Sequence, residues 1–486
     1  MKLSIFYKIV LLMIVTGFSV SCSNNGDIAP QLSVSVKTVS FDSEGGTSEE
    51  ITIEANSKWS ISNTATSWLQ LTQTNGNGEA TVIKLTALSN ETPLTRSATL
   101  SVNADNGQVR RITVTQLAQL YPSYNLSPIA PDSTGMSSNA WQLAAKMQTG
   151  MGINFGNTME SPQEADWQNS KLTESYVKYV KSLGFNSVRL PCNWVWTHLS
   201  DRSKAKIDPA WLARVKEVVG WCVANDMYVI LNSHDSPNAN AIKQDSVNAM
   251  QKAIWHQIAT TMRDFDEHLI FAGLNEPPAE DAQQMAILNG FHETFIKAVR
   301  STGGRNRYRV LVVQGPTTDQ NKAYTLMKTL PKDVIANKLM VELHDYTPST
   351  FTILTDGDVS WGNMVYYWGA GNHSTIEPDR NATFGEEDVV TAEFQKTKER
   401  FIDKGIPVVL GEYGLWRRNA IHNSKYLPLD LEKHNQSVNH WTKYVTKQAK
   451  AHGIMPFWWE IGFLFDRKNN VILDQPMYDA LVEGYK

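Results

Sequence analysis

The sequence predicts an α/β protein in which a (β/α)8 TIM barrel is preceded by a small immunoglobulin-like β-sandwich. Residues 31–118 alternate short strand-like runs with Gly- and Asn-rich turns, as a sandwich does. From Ala140 onward, apolar strand-like runs alternate with amphipathic helical stretches, and eight such β/α units make a barrel. A doubly wound parallel sheet is the alternative for this second region, but it would not need eight strands.

The first residues have the pattern of an export signal. Two lysines precede the apolar stretch Ile9–Val20, which is too short and too poorly flanked for a membrane span, so residues 1–22 are predicted to be a signal peptide. Cys22 resembles the lipidation site of bacterial lipoproteins, although Ser19 stands where that motif prefers Leu. The alternative is an ordinary signal peptide cut near Ser21. Lipidation would anchor an exported protein at the bacterial outer membrane, on the cell surface or the periplasmic face.

Composition excludes several classes of partner and cofactor. The 486 residues include 45 basic and 49 acidic side chains, and a net charge of −4 gives no electrostatic footprint for nucleic acid or anionic lipid. A neutral, polar ligand fits better, and we expect a monomer. Cys192 and Cys222 are expected to be buried free thiols rather than a disulfide. No Cys/His cluster has zinc spacing and no glycine-rich loop suits a phosphate, so neither a metal nor a cofactor is expected.

Five alternating runs predict strands of the sandwich. They are Leu32–Val36, Glu50–Glu54, Ala80–Leu85, Ala98–Val102 and Arg111–Thr115. Trp59 and Trp68 stand at the ends of apolar runs in the same region. They could stack on sugars, but tryptophans of a small sandwich usually belong to its core, and we predict core positions for both. The module would then be a spacer between the membrane and the second domain.

Residues 119–138 predict a connector. Prolines at 122, 128 and 131, followed by Gly135, break any regular pattern and favour an extended, semi-rigid chain. The barrel domain is therefore expected over residues 139–486.

The barrel strands are predicted from apolar runs. They are Gly152–Phe155, Ser187–Leu190, Tyr228–Leu231, Leu269–Leu274, Arg309–Val313, Leu339–Leu343, Pro407–Leu410 and Ile454–Trp458. Helical periodicity covers Asp208–Ala224 and Asn289–Val299. Asp208-Pro209 supplies an N-cap and a proline in the first helical turn, which predicts a helix start at this point.

Two glutamates stand at the carboxyl ends of predicted strands, where parallel barrels keep their chemistry. Glu276 follows the fourth run and Glu412 follows the seventh. Either one alone is as readily a solvated strand end. Together on one barrel face they are the minimal equipment of a glycoside hydrolase, and strands four and seven can supply the separation of about 5–5.5 Å that retaining hydrolysis needs.

Both regions resemble known families. With the segments Lys58–Ile61, Ser67–Leu69 and Ile112–Gln116, the sandwich resembles the BACON domain, a module common ahead of catalytic domains in Bacteroidetes lipoproteins. With Gly152–Glu160 and His344–Pro348, the barrel resembles glycoside hydrolase family 5, subfamily 4, the endoglucanase and xyloglucanase group.

The family resemblance implies roles for the residues that match its motifs. Glu276 matches the acid/base and Glu412 the nucleophile. The supporting residues that it implies are Arg189, His234, Asn275, His344 and Tyr346. The residues expected to bind substrate are Trp459, Asn157, Glu160, Trp196, His198 and Trp368. Asp235 departs from the pattern, because relatives often have a second histidine there.

The chemistry of these side chains supports the implied roles. We expect Arg189 to donate to Glu412 and keep it ionised, and the charge of Glu412 to keep Glu276 protonated at rest. Tyr346 can donate to Glu412 and orient it. His344 can form a hydrogen bond with Glu276 or with the residues around it.

The aromatic loops indicate a polysaccharide cleft. The loop from Thr347 to Glu393 is long and, with the loops after the second and seventh strands, carries many aromatic residues, of which we expect at least two to line sugar subsites. They could equally pack the loops onto the barrel.

The prediction is a retaining endo-β-1,4-glucanase acting on cellulose derivatives, mixed-linkage glucan or xyloglucan. The alternatives are a β-mannanase or xylanase on the same fold, or a non-catalytic glycan-binding lipoprotein.

Overall fold

A computed structural model describes residues 29–167, 169–237, 244–355, 357–419 and 425–486. The chain divides into two compact units, Met1–Gln119 and Leu120–Lys486. The predicted signal peptide and Cys22 lie outside the described residues. Within the described ranges, no helix combines the length and the apolar character that crossing a bilayer requires.

The described part of the first unit consists mostly of short strands in three sheets. One sheet joins Leu32–Val34, Ile51–Ala55 and Thr81–Ile83; the second joins Thr38–Phe41, Val109–Gln116, Arg96–Ala104, Trp59–Ser62 and Asn75–Gly76; the third joins Gly46–Thr47, Leu85–Ala87 and Leu69–Leu71. The alternating burial of strands such as Ile51–Ala55 sends every second side chain into one shared apolar core. The predicted β-sandwich is confirmed.

Both tryptophans of the sandwich belong to its core. Trp59 is 2% exposed and Trp68 is 9% exposed, and both pack in the single apolar cluster of the unit. The prediction of core positions is confirmed, and neither indole offers a face to a sugar.

The predicted connector needs correction. Residues 120–138 belong to the second unit, where Ile129–Pro131 pairs as a short parallel strand with Gly303–Gly304. The ammonium of Lys338 donates to the backbone carbonyl of Ser138 at 2.6 Å. Prolines prevent regular structure but leave backbone carbonyls free to accept, so this segment is attached to the barrel instead of spanning a gap.

The described residues of the second unit form a closed barrel of eight parallel strands. They are β1 (Met151–Asn154), β2 (Phe185–Leu190), β3 (Tyr228–Asn232), β4 (Leu269–Ala272), β5 (Leu311–Gln314), β6 (Leu339–Asp345), β7 (Val408–Tyr413) and β8 (Ile454–Trp458). The predicted barrel is confirmed, and each predicted run contains or overlaps one strand. Strands β6 and β7 extend further than predicted, so that His344 and Glu412 lie within strands rather than after them.

Helices follow the strands along the chain and cover the barrel. They are Ala140–Met147, Glu174–Ser182, Pro209–Ala224, Gln244–Met262, Ala282–Ser301, Gln320–Leu326, Ser349–Thr352, Glu387–Arg400, Leu431–Ala451 and Gln475–Tyr485. The helix Pro209–Ala224 begins as predicted, because Asp208 accepts from the N–H of Ala210. Short strand pairs join Leu199–Asp201 to Lys206–Ile207 and Phe465–Asp466 to Val471–Ile472.

The inside of the barrel changes from apolar to polar along its axis. Near the amino ends of the strands, residues such as Ile270, Met340 and Val409 pack against helix Ala140–Met147. One or two residues further along the strands, the buried interior includes Asn154 and Glu342. Because side chains of a strand alternate between its faces, this polar layer lies directly beneath the carboxyl ends of the strands.

Cys192 and Cys222 are buried free thiols, as predicted. Burial raises the pKa of the Cys222 thiol to about 12, so this sulfur is an apolar packing group at ordinary pH.

Candidate active site

Arg189 connects four strands beneath the site. Its guanidinium donates through Nη1 to Glu412 at 2.8 Å, and this is the hydrogen bond that the sequence predicted. Nη1 also donates to Asn154 at 3.0 Å, Nη2 to Asn275 at 2.7 Å, and Nε to Glu342 at 2.6 Å. A planar group with fixed donors therefore sets the positions of the carboxylates on β6 and β7 and of the amide after β4.

Glu412 is held on both carboxylate oxygens. Besides accepting from Arg189 on Oε1, it accepts from the hydroxyl of Tyr346 on Oε2 at 3.0 Å. Burial, followed by the negative charge of Glu412, holds the pKa of Tyr346 well above its usual value, so the phenol keeps its proton and remains a donor. Glu412 is 5% exposed, so few rotamers other than this one are accessible to it.

Glu276 follows β4 and faces His344, with Nδ1 of the imidazole 2.7 Å from Oε1 of the carboxylate. Burial disfavours the imidazolium, but the carboxylates of Glu412, Glu276 and Glu342 outweigh burial and raise the pKa of His344 to about 9. Burial also raises the pKa of Glu276, but the hydrogen bond and the charge of His344 outweigh it, and the pKa is lowered. The expectation that Glu276 is protonated at rest is wrong for the free protein, because the sequence did not reveal a cation beside it.

The two carboxylates stand close together. One oxygen of Glu276, one oxygen of Glu412 and one ring nitrogen of His344 all lie within 4.8 Å of one another. Oxygens this close are compatible with the separation of about 5–5.5 Å between carboxyl groups that retaining hydrolysis needs. Although the same atoms could ligate a metal ion, an imidazolium has no free lone pair, so His344 in this state is unsuitable as a ligand.

Aromatic side chains flank the carboxylates. A cavity of about 250 Å³ is lined by both glutamates together with Tyr346, Trp416 and Trp459. The backbone of Trp459 is held in place, because its N–H donates to the carbonyl of Tyr413 at 2.8 Å. Its side chain lines the cavity together with the two carboxylates.

His234 is a neighbour of Trp459 and is half-buried. Its ring is nearly parallel to that of Trp459, with centroids 6.3 Å apart. Burial, and then the charge of Arg189, lower its pKa to about 3, so the imidazole is neutral. The nearby Asp235 accepts backbone N–H groups from Trp194 at 3.0 Å and Val195 at 3.1 Å. The departure from the family pattern at Asp235 thus fixes the loop after β2.

Comparisons with known protein families agree with the geometry of the site. A family model described as Cellulase (glycosyl hydrolase family 5) matches residues 147–463. The chain belongs to glycosyl hydrolase family 5. A second model, BACON, described as a putative binding domain, N-terminal, matches residues 57–117.

Relatives cover nearly all of the chain. A xyloglucan-specific endo-β-1,4-glucanase of Bacteroides ovatus is 33% identical over 507 aligned residues, which span 98% of this chain and 96% of the relative. A solved Bacteroides ovatus GH5 xyloglucanase, in complex with a XXXG heptasaccharide, has a TM-score of 0.68 at 30% identity and covers 94% of this chain and 100% of its own. A broad-specificity GH5-4 endoglucanase from Bacteroides salanitronis has a TM-score of 0.62 at 30% identity, over 72% of this chain and 96% of its own. This chain is a glycoside hydrolase of the endo-β-1,4-glucanase type.

Two of the predicted substrate-binding residues of this family 5 barrel do not face the cleft. Trp368 is fully buried, and its indole N–H donates to the carbonyl of Gly385 at 2.8 Å. Glu160 is 3% exposed, and its carboxylate accepts the backbone N–H groups of Asn157 and Thr158. The predictions for Trp368 and Glu160 are wrong, because one packs the long loop onto the barrel and the other holds the loop after β1.

The other predicted substrate contacts differ in exposure. Trp196 is 58% exposed and is available to a ligand. Asn157 has a left-handed backbone with φ of 54° directly after β1. The ring of His198 stacks on Trp211 with centroids 3.7 Å apart, which leaves at most one face for other contacts. A sugar contact remains a prediction for each of these residues.

The sequence reasoning missed the polar layer under the site. Asn154 donates to the carbonyl of Gly411 at 2.8 Å, and Gln314 donates to Glu342 at 2.6 Å. A signal was available for Glu342, since an acidic residue inside the otherwise apolar run Leu339–Leu343 requires partners once the run is buried. The polar exceptions within such apolar runs carry part of the site.

Proposed function

We propose that this protein cleaves β-1,4-glucan chains with retention of anomeric configuration, with Glu412 as the nucleophile and Glu276 as the acid/base. The observation that carries the proposal is the pair of carboxylates with oxygens within 4.8 Å, one fixed by Arg189 and Tyr346 and the other paired with His344. Two opposed carboxylates held in this way have no use in a protein that only binds glycans.

In the first step, Glu412 attacks the anomeric carbon of the sugar between the two carboxylates. A C–O bond to Glu412 forms as the glycosidic bond breaks, and Glu276 gives its proton to the departing oxygen. Glu412 is already oriented by donors on both oxygens, so little ordering remains for the reacting complex.

Glu276 acquires its acid role when substrate binds. The side chain is 42% exposed in the free protein. A sugar placed over it would exclude water, and loss of water raises the pKa of a carboxyl group, so that Glu276 takes up a proton from solvent as substrate binds. In the second step, Glu276 takes a proton from a water molecule that attacks the anomeric carbon, and the C–O bond to Glu412 breaks. Glu412 is then a carboxylate again, and Glu276 again carries the proton that the first step used.

Asn275 and Trp459 would bind the reacting sugar. The amide oxygen of Asn275 accepts from Arg189, which leaves the NH2 group available to the equatorial 2-hydroxyl of a glucosyl ring. This bond strengthens as positive charge develops at the anomeric carbon. The indole of Trp459 offers an apolar face to the ring.

We infer that glucans are preferred over mannan, and that xyloglucan is among the glucans cleaved. An axial 2-hydroxyl would approach Asn275 and the half-buried His234 from the wrong side, and a poorly paired polar group is costly in the transition state. The relatives named above, which act on xyloglucan or a broad range of substrates, support the same class. A β-mannanase or xylanase is the alternative.

The test is a reducing-sugar assay of the purified protein on xyloglucan, mixed-linkage glucan, carboxymethylcellulose, xylan and mannan. We expect kcat/KM for the best glucan to exceed that for mannan by at least about tenfold, or about 1.4 kcal/mol of differential transition-state binding. Equal or faster cleavage of mannan would contradict the substrate assignment and leave the chemistry intact.

The roles of the two carboxylates are tested by Glu412→Ala and Glu276→Ala. Each is expected to lower turnover by several orders of magnitude without loss of folding. Azide should restore activity to Glu412→Ala and give a product of inverted anomeric configuration, because the small anion occupies the space of the missing carboxylate. Turnover near that of the wild type in either variant would refute the assignment.

We also propose that the protein is exported and lipid-anchored through Cys22. Support comes from the sequence alone, in the apolar stretch Ile9–Val20 and the cysteine that follows it. Expression of the full chain and of Cys22→Ala in a Gram-negative host, followed by detergent phase partition, tests this. Partition of both proteins into the aqueous phase would refute lipidation.

A further inference from the structure

Glu342 is a carboxylate that the proposed reaction leaves unused. It lies on β6 inside the barrel, 0% exposed, in the layer beneath the two reacting glutamates. Three groups approach it: Arg189 Nε at 2.6 Å, Gln314 Nε2 at 2.6 Å and His344 Nε2 at 3.3 Å. A buried charge is tolerated only when it is paired in this way, so the surroundings of Glu342 are arranged for an anion.

The neighbouring strand leaves room for this carboxylate. A Cβ atom added to Gly411 on β7 would lie 2.1 Å from Oε1 of Glu342. Glycine at this position therefore lets the backbone that carries Glu412 pass directly over the buried charge. Any larger residue at 411 would displace the oxygen that Arg189 and His344 contact.

His344 lies between two carboxylates. Its Nδ1 is 2.7 Å from Glu276 and its Nε2 is 3.3 Å from Glu342. A neutral imidazole carries one N–H, so one of its nitrogens would point a lone pair at a carboxylate oxygen. While Glu276 and Glu342 are both ionised, only the imidazolium satisfies both contacts.

Among the described residues, other charged and titratable groups also lie near His344. Oε2 of Glu412 is 3.7 Å from Nδ1, the charge of Arg189 acts on the neighbouring carboxylates, and the imidazole of His234 is neutral. Tyr346, directly after β6, is a neutral phenol. The three carboxylates outnumber the permanent cation of Arg189, which favours a second positive charge at His344.

We propose that Glu342 is a positioning residue that holds His344 as an oriented imidazolium, so that His344 stabilises the carboxylate formed when Glu276 gives up its proton. The proposal rests on the acid role of Glu276 given above. It requires no further proton transfer: the proton goes from Glu276 to the leaving oxygen, and His344 keeps both of its own. Glu342 contributes one fixed negative charge and one acceptor.

The first experiment is a ¹⁵N NMR titration of the histidine side chains in the mature wild-type chain, with His344 assigned by its absence in His344→Gln. We expect both ring nitrogens of His344 to be protonated at pH 7 and to stay so to at least pH 8. In Glu342→Gln, the midpoint is expected to fall by at least about one pH unit, because one neighbouring negative charge is lost. A neutral His344 in the wild type at pH 7, or an unchanged midpoint in the variant, would overturn the proposal.

The second experiment uses leaving groups. 2,4-Dinitrophenyl β-cellobioside needs no protonation on departure, whereas a glucan does. Glu342→Gln is expected to lose about tenfold or more in kcat/KM on glucan relative to its loss on the dinitrophenyl substrate. Equal losses on both would mean that Glu342 only supports the structure, and the proposal would fail.

Two controls separate the possible causes. Gln314→Met removes a hydrogen-bond donor to Glu342 but leaves the negative charge of Glu342 in place. The titration midpoint of His344, and the ratio of kcat/KM on glucan to kcat/KM on the dinitrophenyl substrate, should therefore stay near the wild-type values. Glu276→Gln should show a strong leaving-group dependence. If kcat/KM of Glu276→Gln does not depend on the leaving group, the assignment of Glu276 as the acid is wrong. If kcat/KM depends on the leaving group in Glu276→Gln but not in Glu342→Gln, only the inference about Glu342 is wrong. If Glu342→Gln does not fold, the wild-type titration decides.

Discussion

Replacement of Arg189 by lysine tests whether its geometry, beyond its charge, holds the site together. Arg189 makes two hydrogen bonds to carboxylates, on Glu342 and Glu412, and two to the amides of Asn154 and Asn275. Lysine keeps the positive charge but ends in a single ammonium. The ammonium can approach one of the two carboxylates, but it cannot reach both as the planar guanidinium does.

The loss can be estimated from the four contacts. A hydrogen bond to a charged partner contributes about 1.5–3 kcal/mol, and one to a neutral amide about 0.5–1.5 kcal/mol. If lysine keeps one contact with a carboxylate, Arg189→Lys loses the other carboxylate contact and both amide contacts, and should lose roughly 2.5–6 kcal/mol of unfolding free energy. Activity should fall by at least about a hundredfold, because Glu412 and Asn275 lose their common support.

The assay combines urea unfolding of residues 120–486 with kcat/KM on a soluble glucan, both against the wild type. Arg214→Lys is a suitable control, since Arg214 pairs with Glu164 and Glu217 and not with the reacting carboxylates. It should retain activity close to that of the wild type. A loss of less than about 1 kcal/mol of unfolding free energy in Arg189→Lys, with activity unchanged, would refute the claim that the guanidinium of Arg189 sets the geometry of the site.

Further predictions concern packing, pH and the domain boundary. Trp459→Ala should lower kcat/KM with little effect on stability, whereas Trp368→Ala should cost about 3–5 kcal/mol in urea unfolding while the folded fraction stays active. Burial raises the pKa of Glu160 from 4.5 to about 7, so the native state binds its proton more tightly than the unfolded chain and its contribution to stability falls between pH 4.5 and 7. Glu160→Gln should remove about 3 kcal/mol of that decrease, measured by unfolding at both pH values; an unchanged slope would contradict it. A chain starting at Leu120 should match the mature protein on soluble glucan, whereas one starting at Ser138 should have a lower Tm, because it lacks the strand at 129–131; equal Tm values would contradict this.

The sequence predicted what depends on hydrophobic pattern and on strand-end motifs. The eight strands were recoverable because each is an apolar run between helical segments, and Glu276 and Glu412 were recoverable because each ends such a run. The contact between Tyr346 and Glu412 also followed, since both lie at carboxyl ends of adjacent strands.

What the sequence did not reveal depends on three-dimensional contacts. Trp368 has the composition of a sugar platform, but whether an indole faces a cleft or a core is decided by the packing of a long loop. The charge on His344 arises from three carboxylates that come from β4, β6 and β7. No local pattern contains that information, so the protonation of Glu276 in the free protein could not be predicted.

The most direct test of the central claim is to trap the covalent intermediate. A 2-deoxy-2-fluoro-β-cellobioside with a good leaving group should transfer its glycosyl group once to the wild-type protein as the leaving group departs, and mass spectrometry of a protease digest should place the label on the peptide that contains Glu412. The same reagent should not label Glu412→Ala. Labelling of a different carboxylate, or a first product of inverted configuration by ¹H NMR of the wild-type reaction, would contradict the account.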